Sequence, residues 1–520
     1  MTIPEDIREV KRPPNTVVCD NGGDGPRRYA VRERKGIKYI RKGNPRPVNG
    51  NVIGHIVGGR FVPAAEEAAE AGPDMMSYGA AALAESVAGD LPDDLLTVYP
   101  PDTAFQIMAV ASLRVIRPGI TNGRISAHYK RTFVSSFYPG VHLSKNTVGD
   151  LLQRLGMDGK KRSQFYELRM DSVSKEHHIA IDGTLKHDNS NVNDLSAFSY
   201  KSRSGGSKDI SVIYAYNIET AEPICAEVFP GNCIDASCYK AFIRNNDIRM
   251  GIIIADKGFP PSMIKDELND RPDLHFITPL KRNDVRIRNN GMTEFEGTLE
   301  GMGAHILYKK KEIGKGGYLY AFRDTGKAFA EENTFLTKAE KKKNFVLSEY
   351  EKKDKTFGLI VFESDPDLPA ETVYKCYSDR WMLELVFNRY KNDECLDSTG
   401  VQGDFSVIGS EFVNFISTVM TCRILDKLKA SGLLKEMSYG DIMDDLSSAW
   451  RRADAPLPPS SGDGGWVHTN KTVLEELEAL GLSTPVPIPE PKKKGRPKKN
   501  PEEPDKPKRP RGRPRKEVSS

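Results

Sequence analysis

Between His177 and Asp256 the apolar positions fall in short β-branched runs, at 178–181, 210–216, 224–229 and 252–255, with a helical stretch near 236–244 before the last. Three strands, a helix and a further strand predict a mixed α/β sheet. The texture resumes at 276–278, 304–308 and 318–322, and again in the strongly apolar run 357–362. A charged helix is predicted from about 328 to 353, another helix from about 371 to 392, and then an amphipathic one with Phe412, Phe415, Ile416, Val419 and Met420 on one stripe. Upstream, Phe105, Met108, Ala109, Ser112, Leu113 and Ile116 keep three-and-four spacing until Pro118-Gly119 stops it. A second helix is predicted from Thr121 or Asn122. Ser144 is the N-cap of a third, whose apolar face holds Val148, Leu151, Leu152 and Leu155 and which ends at Gly156.

The ends of the chain read differently. Residues 1–62 mix basic residues with Gly and Pro, and alternating stretches at 36–40 and 53–57 predict small β-hairpins. Beyond Asp454 the chain is rich in Pro, Gly and Ser, with a short helix near 473–480. The expected organisation is a β-rich region (1–62), a linker (63–100) whose Ala- and Glu-rich stretch 64–90 could instead form a weak helix, a helical region (101–170), an α/β unit (175–430) with an insertion at about 284–355, a helical or irregular region (431–484) and a disordered tail (485–520). The helical region reads equally as a helix-turn-helix, with Arg124, Lys130, Arg131, Lys145 and Arg154 on its outer faces, or as a packing unit.

With 520 residues, 38% of them hydrophobic, the chain can bury a substantial core. No membrane span is expected, and Met1–Arg12 is charged, so the reading is of an intracellular protein. Seven scattered cysteines fit neither a disulfide framework nor paired zinc knuckles; Cys233 and Cys238 are the one close pair. The net charge of +4 conceals a division: residues 492–516 carry 13 Lys or Arg against 3 Asp or Glu, leaving 63 against 69 elsewhere. Such a tail points to a polyanion partner, because neutralising phosphates releases their counterions.

Asp182 and Asp256 each follow an apolar strand and precede a glycine, Asp182 directly and Asp256 after Lys257. Carboxylates at the carboxyl edge of an α/β sheet stand where such folds build their sites, and paired divalent ions need clustered hard oxygen ligands. Each aspartate alone is more often a turn residue. On the helix around Trp381, however, Tyr377, Arg380, Glu384 and Lys391 are three, four and seven residues apart and share one face. A carboxylate flanked by cations and a hydroxyl could bind metal and grip phosphate, whereas a solvated face with salt bridges would have the same spacing. Trp381, Leu385 and Phe387 beside the stripe suggest that the helix is packed and its polar face borders a cleft.

The run from Tyr377 through Arg380 and Glu384 to Lys391 resembles the Tyr-x2-Arg-x3-Glu-x6-Lys signature of bacterial insertion-sequence transposases of the insertion-sequence-four-like group. Ile181-Asp182-Gly183-Thr184 and Ala255-Asp256-Lys257-Gly258-Phe259 resemble the first and second catalytic blocks of that family, and Gly358–Phe362 with Asp367-Leu368-Pro369 its approach to the third. Lys257 stands where relatives often carry Arg, and no Trp lies between Asp256 and Arg380. The resemblance implies an α/β, ribonuclease H-like catalytic core with a β-rich insertion. It also implies that Asp182, Asp256 and Glu384 form the catalytic and metal-binding triad for two Mg2+ ions, with Mn2+ able to substitute. Tyr377, Arg380 and Lys391 would be DNA-binding residues, and the chain would cut element ends and transfer them to target DNA as a homodimer or larger assembly. A cytoplasmic, nucleoid-associated bacterial protein is implied too. The rival readings are a domesticated, catalytically inactive DNA-binding protein, against which the intact triad argues, and a nuclease that hydrolyses without strand transfer.

In the tail, Pro510-Arg511-Gly512-Arg513-Pro514-Arg515-Lys516 resembles an AT-hook, with a looser copy around Arg496. An extended Arg-Gly-Arg-Pro core is thin enough for a narrow A·T minor groove, so Arg496, Arg511, Gly512, Arg513 and Pro514 are candidate DNA contacts. A generic basic tail would bind DNA without base preference.

Overall fold

The computed structural model describes residues 3–22, 25, 28–39, 45–63, 75–188, 190–199, 207–233, 236–254, 265–299, 301–302, 305–314, 316–341, 346–379, 398–457, 459 and 465–483. At the N-terminus, β1 (Thr16–Asp20), β2 (Tyr29–Tyr39), β3 (Pro45–Val57) and β4 (Arg60–Pro63) form an antiparallel meander. Gly58 and Gly59, both at positive φ (57° and 75°), make the tight β3–β4 turn that the right-handed strand twist favours. A small β5 (Met75–Ser77) follows, and pairs much later with the C-terminal strands.

Residues 79–98 form two helices, Gly79–Ser86 and Leu91–Val98, where the sequence left a weak helix or a linker open for 64–90. Their Ala-rich composition is that of a close-packing face. Gly79 and Ala80–Ala84 are buried, and a Cβ on Gly79 would lie 2.4 Å from the Leu446 carbonyl oxygen. Arg169 and Arg423 both bridge Asp90 and Glu222, tying this segment to the strand Glu222–Pro230 and to two other helices.

The helices Pro101–Ile116, Lys145–Met157 and Gly159–Met170 follow, the second capped by Ser144, whose hydroxyl accepts from the Thr147 amide. Twelve of the sixteen residues of Pro101–Ile116 are buried in a core continuous with that of the sheet. That helix therefore packs as a layer against the sheet unit.

The central unit is a ten-stranded sheet. Its strands are β6 (His178–His187), β7 (Ala197–Phe198), β8 (Lys208–Asn217), β9 (Glu222–Pro230), β10 (Met250–Ile254), β11 (Asp273–Pro279), β12 (Gly297–Thr298), β13 (Ile306–Glu312), β14 (Tyr318–Asp324) and β15 (Leu359–Ser364). β9, β8 and β6 are antiparallel neighbours; β10 lies parallel to β6, and β11 parallel to β10. β15, β14, β13 and β12 extend the sheet beyond β11 through antiparallel pairs. The expected insertion thus joins the main sheet, and it is mixed, because it also carries the helices Thr325–Glu340 and Leu347–Glu351.

Helices cover both faces. Ala236–Asn245, with Phe242 and Ile243 buried, shares a cluster with Ile179, Ile213 and Ile253, and Tyr239 approaches Gly183. On the opposite face lies Asp404–Ser431, predicted to be amphipathic but in fact buried nearly all round. Phe415 stacks on Tyr214 of β8, while Ser417 donates to the Ala111 carbonyl on its other side. The helix is long and apolar enough to cross a bilayer, yet most of its apolar window is buried inside the protein. Two glycines permit its closest crossing: a Cβ on Gly409 would lie 1.9 Å from the Leu152 carbonyl oxygen, and one on Gly156 would meet that of Phe405 at 1.7 Å. β16 (Trp450–Arg452) and β17 (Trp466–His468) complete a sheet with β5, beside the helices Tyr439–Ser447 and Lys471–Ala479. Among the described residues six cysteines are free thiols, Cys233 and Cys238 included.

Candidate active site

Asp182 lies within β6, directly opposite Tyr214 of β8. Its sequence suggested a strand end, but β6 runs on to His187 because β8 pairs with it all the way to Asp209. What ends near Asp182 is the described pairing with β10, which reaches Ala180–Ile254. Paired residues on neighbouring strands point to the same face, so Ala180, Asp182, Ile252 and Ile254 belong to the face that also carries Tyr214 and Tyr216. Asp182 is half-buried, and its Oδ1 accepts from the Gly183 amide at 2.8 Å, which orients the carboxylate.

The helix Ala370–Asp379 covers the neighbouring part of that same face. Ala370, Val373 and Cys376 pack in one cluster with Ile252, Ile254, Ile277 and Phe362, so the apolar stripe of the helix is what fixes it there. Tyr377, the first residue of the signature, sets its ring 4.6 Å from that of Phe362. It also lines a cavity of about 450 Å³ with Tyr374, Phe322, Arg282 and Lys327. Burial pushes the Tyr374 phenol up, with Asp324 adding to the effect, so it stays a neutral donor.

Asp256, Arg380, Glu384 and Lys391 lie outside the described residues, as do Arg496, Arg511, Gly512, Arg513 and Pro514 of the tail. The chain on either side of 380–397 is placed, however. It leaves at Asp379 and is next described at Ser398, which bridges His187 of β6, with the Thr399 amide donating to the His187 carbonyl. Among the described residues no three His, Cys, Asp or Glu side chains are grouped to hold a metal, and only one member of the expected triad is among them.

Two features around β6 were not legible in the sequence. Lys186, on the same face as Asp182, is buried and donates to Glu411 Oε1 at 2.7 Å. Asn414 donates to that same oxygen and accepts from Arg114, so three elements share one buried polar network. Nothing in the spacing of 114, 186 and 411–414 announces it. Next to it, a cavity of about 230 Å³ is lined by Arg114, Thr121, Asn122, Lys186, Ser398 and Asn414. Beyond its Gly119–Asn122 wall stand the exposed Arg117, Arg124, Lys130 and Arg131. Desolvation, then the charges of Arg117, Arg124 and Arg131, hold the His128 imidazole below its ordinary value, a sign of concentrated positive potential on this surface.

The comparisons with known proteins bear on this same unit. Residues 174–403 match the family described as the transposase DDE domain, a span that begins just before β6 and ends just before Asp404–Ser431. The match supports a DDE transposase. Among solved structures, the chain is similar to piggyBac transposase in a synaptic complex with hairpin DNA, with 9% identity over 67% of this chain and 70% of that one and a TM-score of 0.37. It is also similar to Mos1 transposase in a paired-end complex with the left transposon end, with 14% identity, 28% of this chain, 52% of that one and a TM-score of 0.14. No curated protein matches the chain.

Proposed function

We propose that the chain is a DDE transposase of the insertion-sequence-four-like group, with a ribonuclease H-like catalytic core, that cuts DNA at the ends of a mobile element and joins those ends to a target. The register of β6 and β10 carries this reading. Ile254 pairs with Ala180, an offset of 74 residues, and the same 74 residues separate Asp182 from Asp256. Asp256 follows the last described residue of β10 by two positions, and two residues of chain reach at most about 7 Å. Neighbouring strands stand about 4.8 Å apart, and an equal offset of this kind is what two aspartates sharing metal would need, which supports the reading. The helix that begins the third block packs on that same face.

In this reading Asp182, Asp256 and Glu384 supply hard oxygen donors of the kind Mg2+ or Mn2+ takes, and the half-buried, amide-oriented Asp182 fits the role. Two such ions, when bound, would activate water and stabilise the leaving oxygen at the scissile phosphate. Arg380 and Lys391 hold phosphate oxygens on either side of Glu384, and the neighbouring hydroxyl of Tyr377 donates to the strand. The exposed arginines at 117, 124 and 131 extend the positive surface along which the duplex lies. Both element ends must be held together, so the active species is a dimer or larger on DNA.

The test is an assay with purified chain, Mg2+ and labelled DNA carrying the element ends. Cut and joined products are expected. Asp182→Asn, Asp256→Asn and Glu384→Ala should each bind the ends yet lower joining by about 10³-fold or more. Chelation of the metal should have the same effect. A Glu384→Ala protein that joins ends at the normal rate would overturn the triad, and cleavage without any joining would identify a nuclease instead.

A further inference from the structure

The N-terminal meander has a core at one end only. Val18, Val31 and Ile56 pack there with Ile3, Ile7, Val10, Ile53 and Phe61. β1 pairs with β2 no further than Glu33, and β4 covers only Gly54–Val57 of β3. Beyond Arg34, whose backbone amide and carbonyl still bond Asn15, β2 and β3 run on as a pair by themselves, with Gly36 opposite Val48, Ile37 opposite Pro47 and Lys38 opposite Arg46. The pair extends for about 20 Å. Three register irregularities between Val31 and Gly36 mark the start of this ribbon, and such bulges increase its twist.

A two-stranded ribbon without a core is marginal in water. Here it also exposes apolar surface, Ile37 at 62% and Val48 at 41%, next to exposed Arg34, Lys35 and Asn49. Residues 29–57 hold seven Lys or Arg and one acid, Glu33. Among the described residues neither Arg34 nor Lys35 has an ion-pair partner. Pro45 and Pro47 remove two backbone donors from β3, which blunts it against a partner strand.

We propose that the β2–β3 ribbon is a DNA-binding arm that enters the major groove of a B-form duplex. The groove, about 12 Å wide, admits a two-stranded ribbon, whereas the major groove of A-form RNA is too narrow for side chains to read. Cations on the ribbon meet the phosphates along both rims, and Asn49 with Ile37, which pairs with Pro47 on the same face, can face base edges. The inference stands apart from the catalytic reading, because an arm of this kind binds whether or not the sheet unit cuts.

The experiment measures binding of the full chain to a labelled DNA duplex by fluorescence anisotropy across a salt series. It compares the native protein with Arg34→Gln/Lys35→Gln and with the charge-keeping Arg34→Lys/Lys35→Arg. Neither side chain belongs to the small core, so all three proteins should melt together. Loss of two phosphate contacts should lower the slope of log K against log salt by about 2 and weaken binding roughly tenfold or more, with the charge-keeping variant close to native. Dimethyl sulfate, which attacks guanine N7 in the major groove, should show protection by the native chain that the glutamine variant loses. An unchanged slope overturns the arm. So does a glutamine defect that appears equally on duplex RNA or on phosphatidylserine vesicles, or protection confined to the minor groove. Asp182→Asn should bind the duplex as the native chain does, so a failure of the catalytic reading and a failure of the arm remain separable.

Discussion

Glu476 sits on the helix Lys471–Ala479 with 3% of its surface exposed, and among the described residues neither carboxylate oxygen has a hydrogen-bond partner. Burial, and secondarily the charge of Asp445, push its carboxyl up to about 7 from an ordinary 4.5. The folded chain therefore holds a proton that the unfolded chain releases. The stability tied to that proton is complete below pH 4.5 and is lost as pH rises through 7. Its size is of order 2 kcal/mol. Glu476→Gln should flatten the fall in melting temperature between pH 5 and pH 8, and a mutant whose melting curves still track pH as the native ones do would show that another group is responsible. Lys186 and Glu411 pose the complementary case, a buried pair whose charges compensate each other. Lys186→Met should cost about 3–5 kcal/mol by stranding the carboxylate, whereas Lys186→Met with Glu411→Leu should recover most of it. Urea denaturation of the three proteins distinguishes this from a simple loss of packing volume, which the double variant would not repair.

At the scale of elements, the periodic signals located most of the fold. β6, β8, β9 and β10 fall on the β-branched runs, and Ser144 caps its helix as the Ser-to-apolar-run pattern predicts. What the pattern misread was burial from two sides. The stripe of Phe412, Phe415, Ile416, Val419 and Met420 is real, but Ser417, Thr418 and Thr421 on the other faces are buried too, and Ser417 reaches the Ala111 carbonyl in a contact no sequence window reveals. The Ala-rich segment 79–86, readable as a weak helix or a linker, stayed open for a related reason: small residues also mark a tight crossing, and only the partner decides. Gly409 is where this has consequences. A methyl there would meet the Leu152 carbonyl oxygen, which is backbone and cannot turn aside, so the helices must separate. Gly409→Ala should therefore destabilise by about 1–3 kcal/mol or more despite its better helix propensity. A gain in the urea midpoint would show instead that the crossing is loose.

Across the whole molecule, charge is distributed by region. The first 63 residues carry 13 Lys or Arg against 6 acids, the stretch 492–516 carries 13 against 3, and everything else carries 50 against 63. The remainder is net acidic, so the two basic segments carry the net charge that would attract a polyanion. The aspartates and the Tyr377 signature were readable as candidates, because chemistry fixes residue types and spacing; the ribbon was not, since its alternating residues read as ordinary hairpins until the register showed no third strand beside them. This division makes a quantitative demand. Truncation before Lys492 removes the larger reservoir of charge, and the ribbon variant removes two charges from the other end. If the two ends engage one duplex at separate places, their effects on the salt slope should add, the truncation lowering it by several and the glutamine pair by about 2 in either background. Joining by the truncated chain at saturating DNA should proceed at the native rate, because affinity has been lost and the sheet unit is untouched. A truncated chain whose slope is unchanged would rule out the tail as a DNA-binding element, and a ribbon effect that vanished with the tail would mean that the two ends compete for the same phosphates.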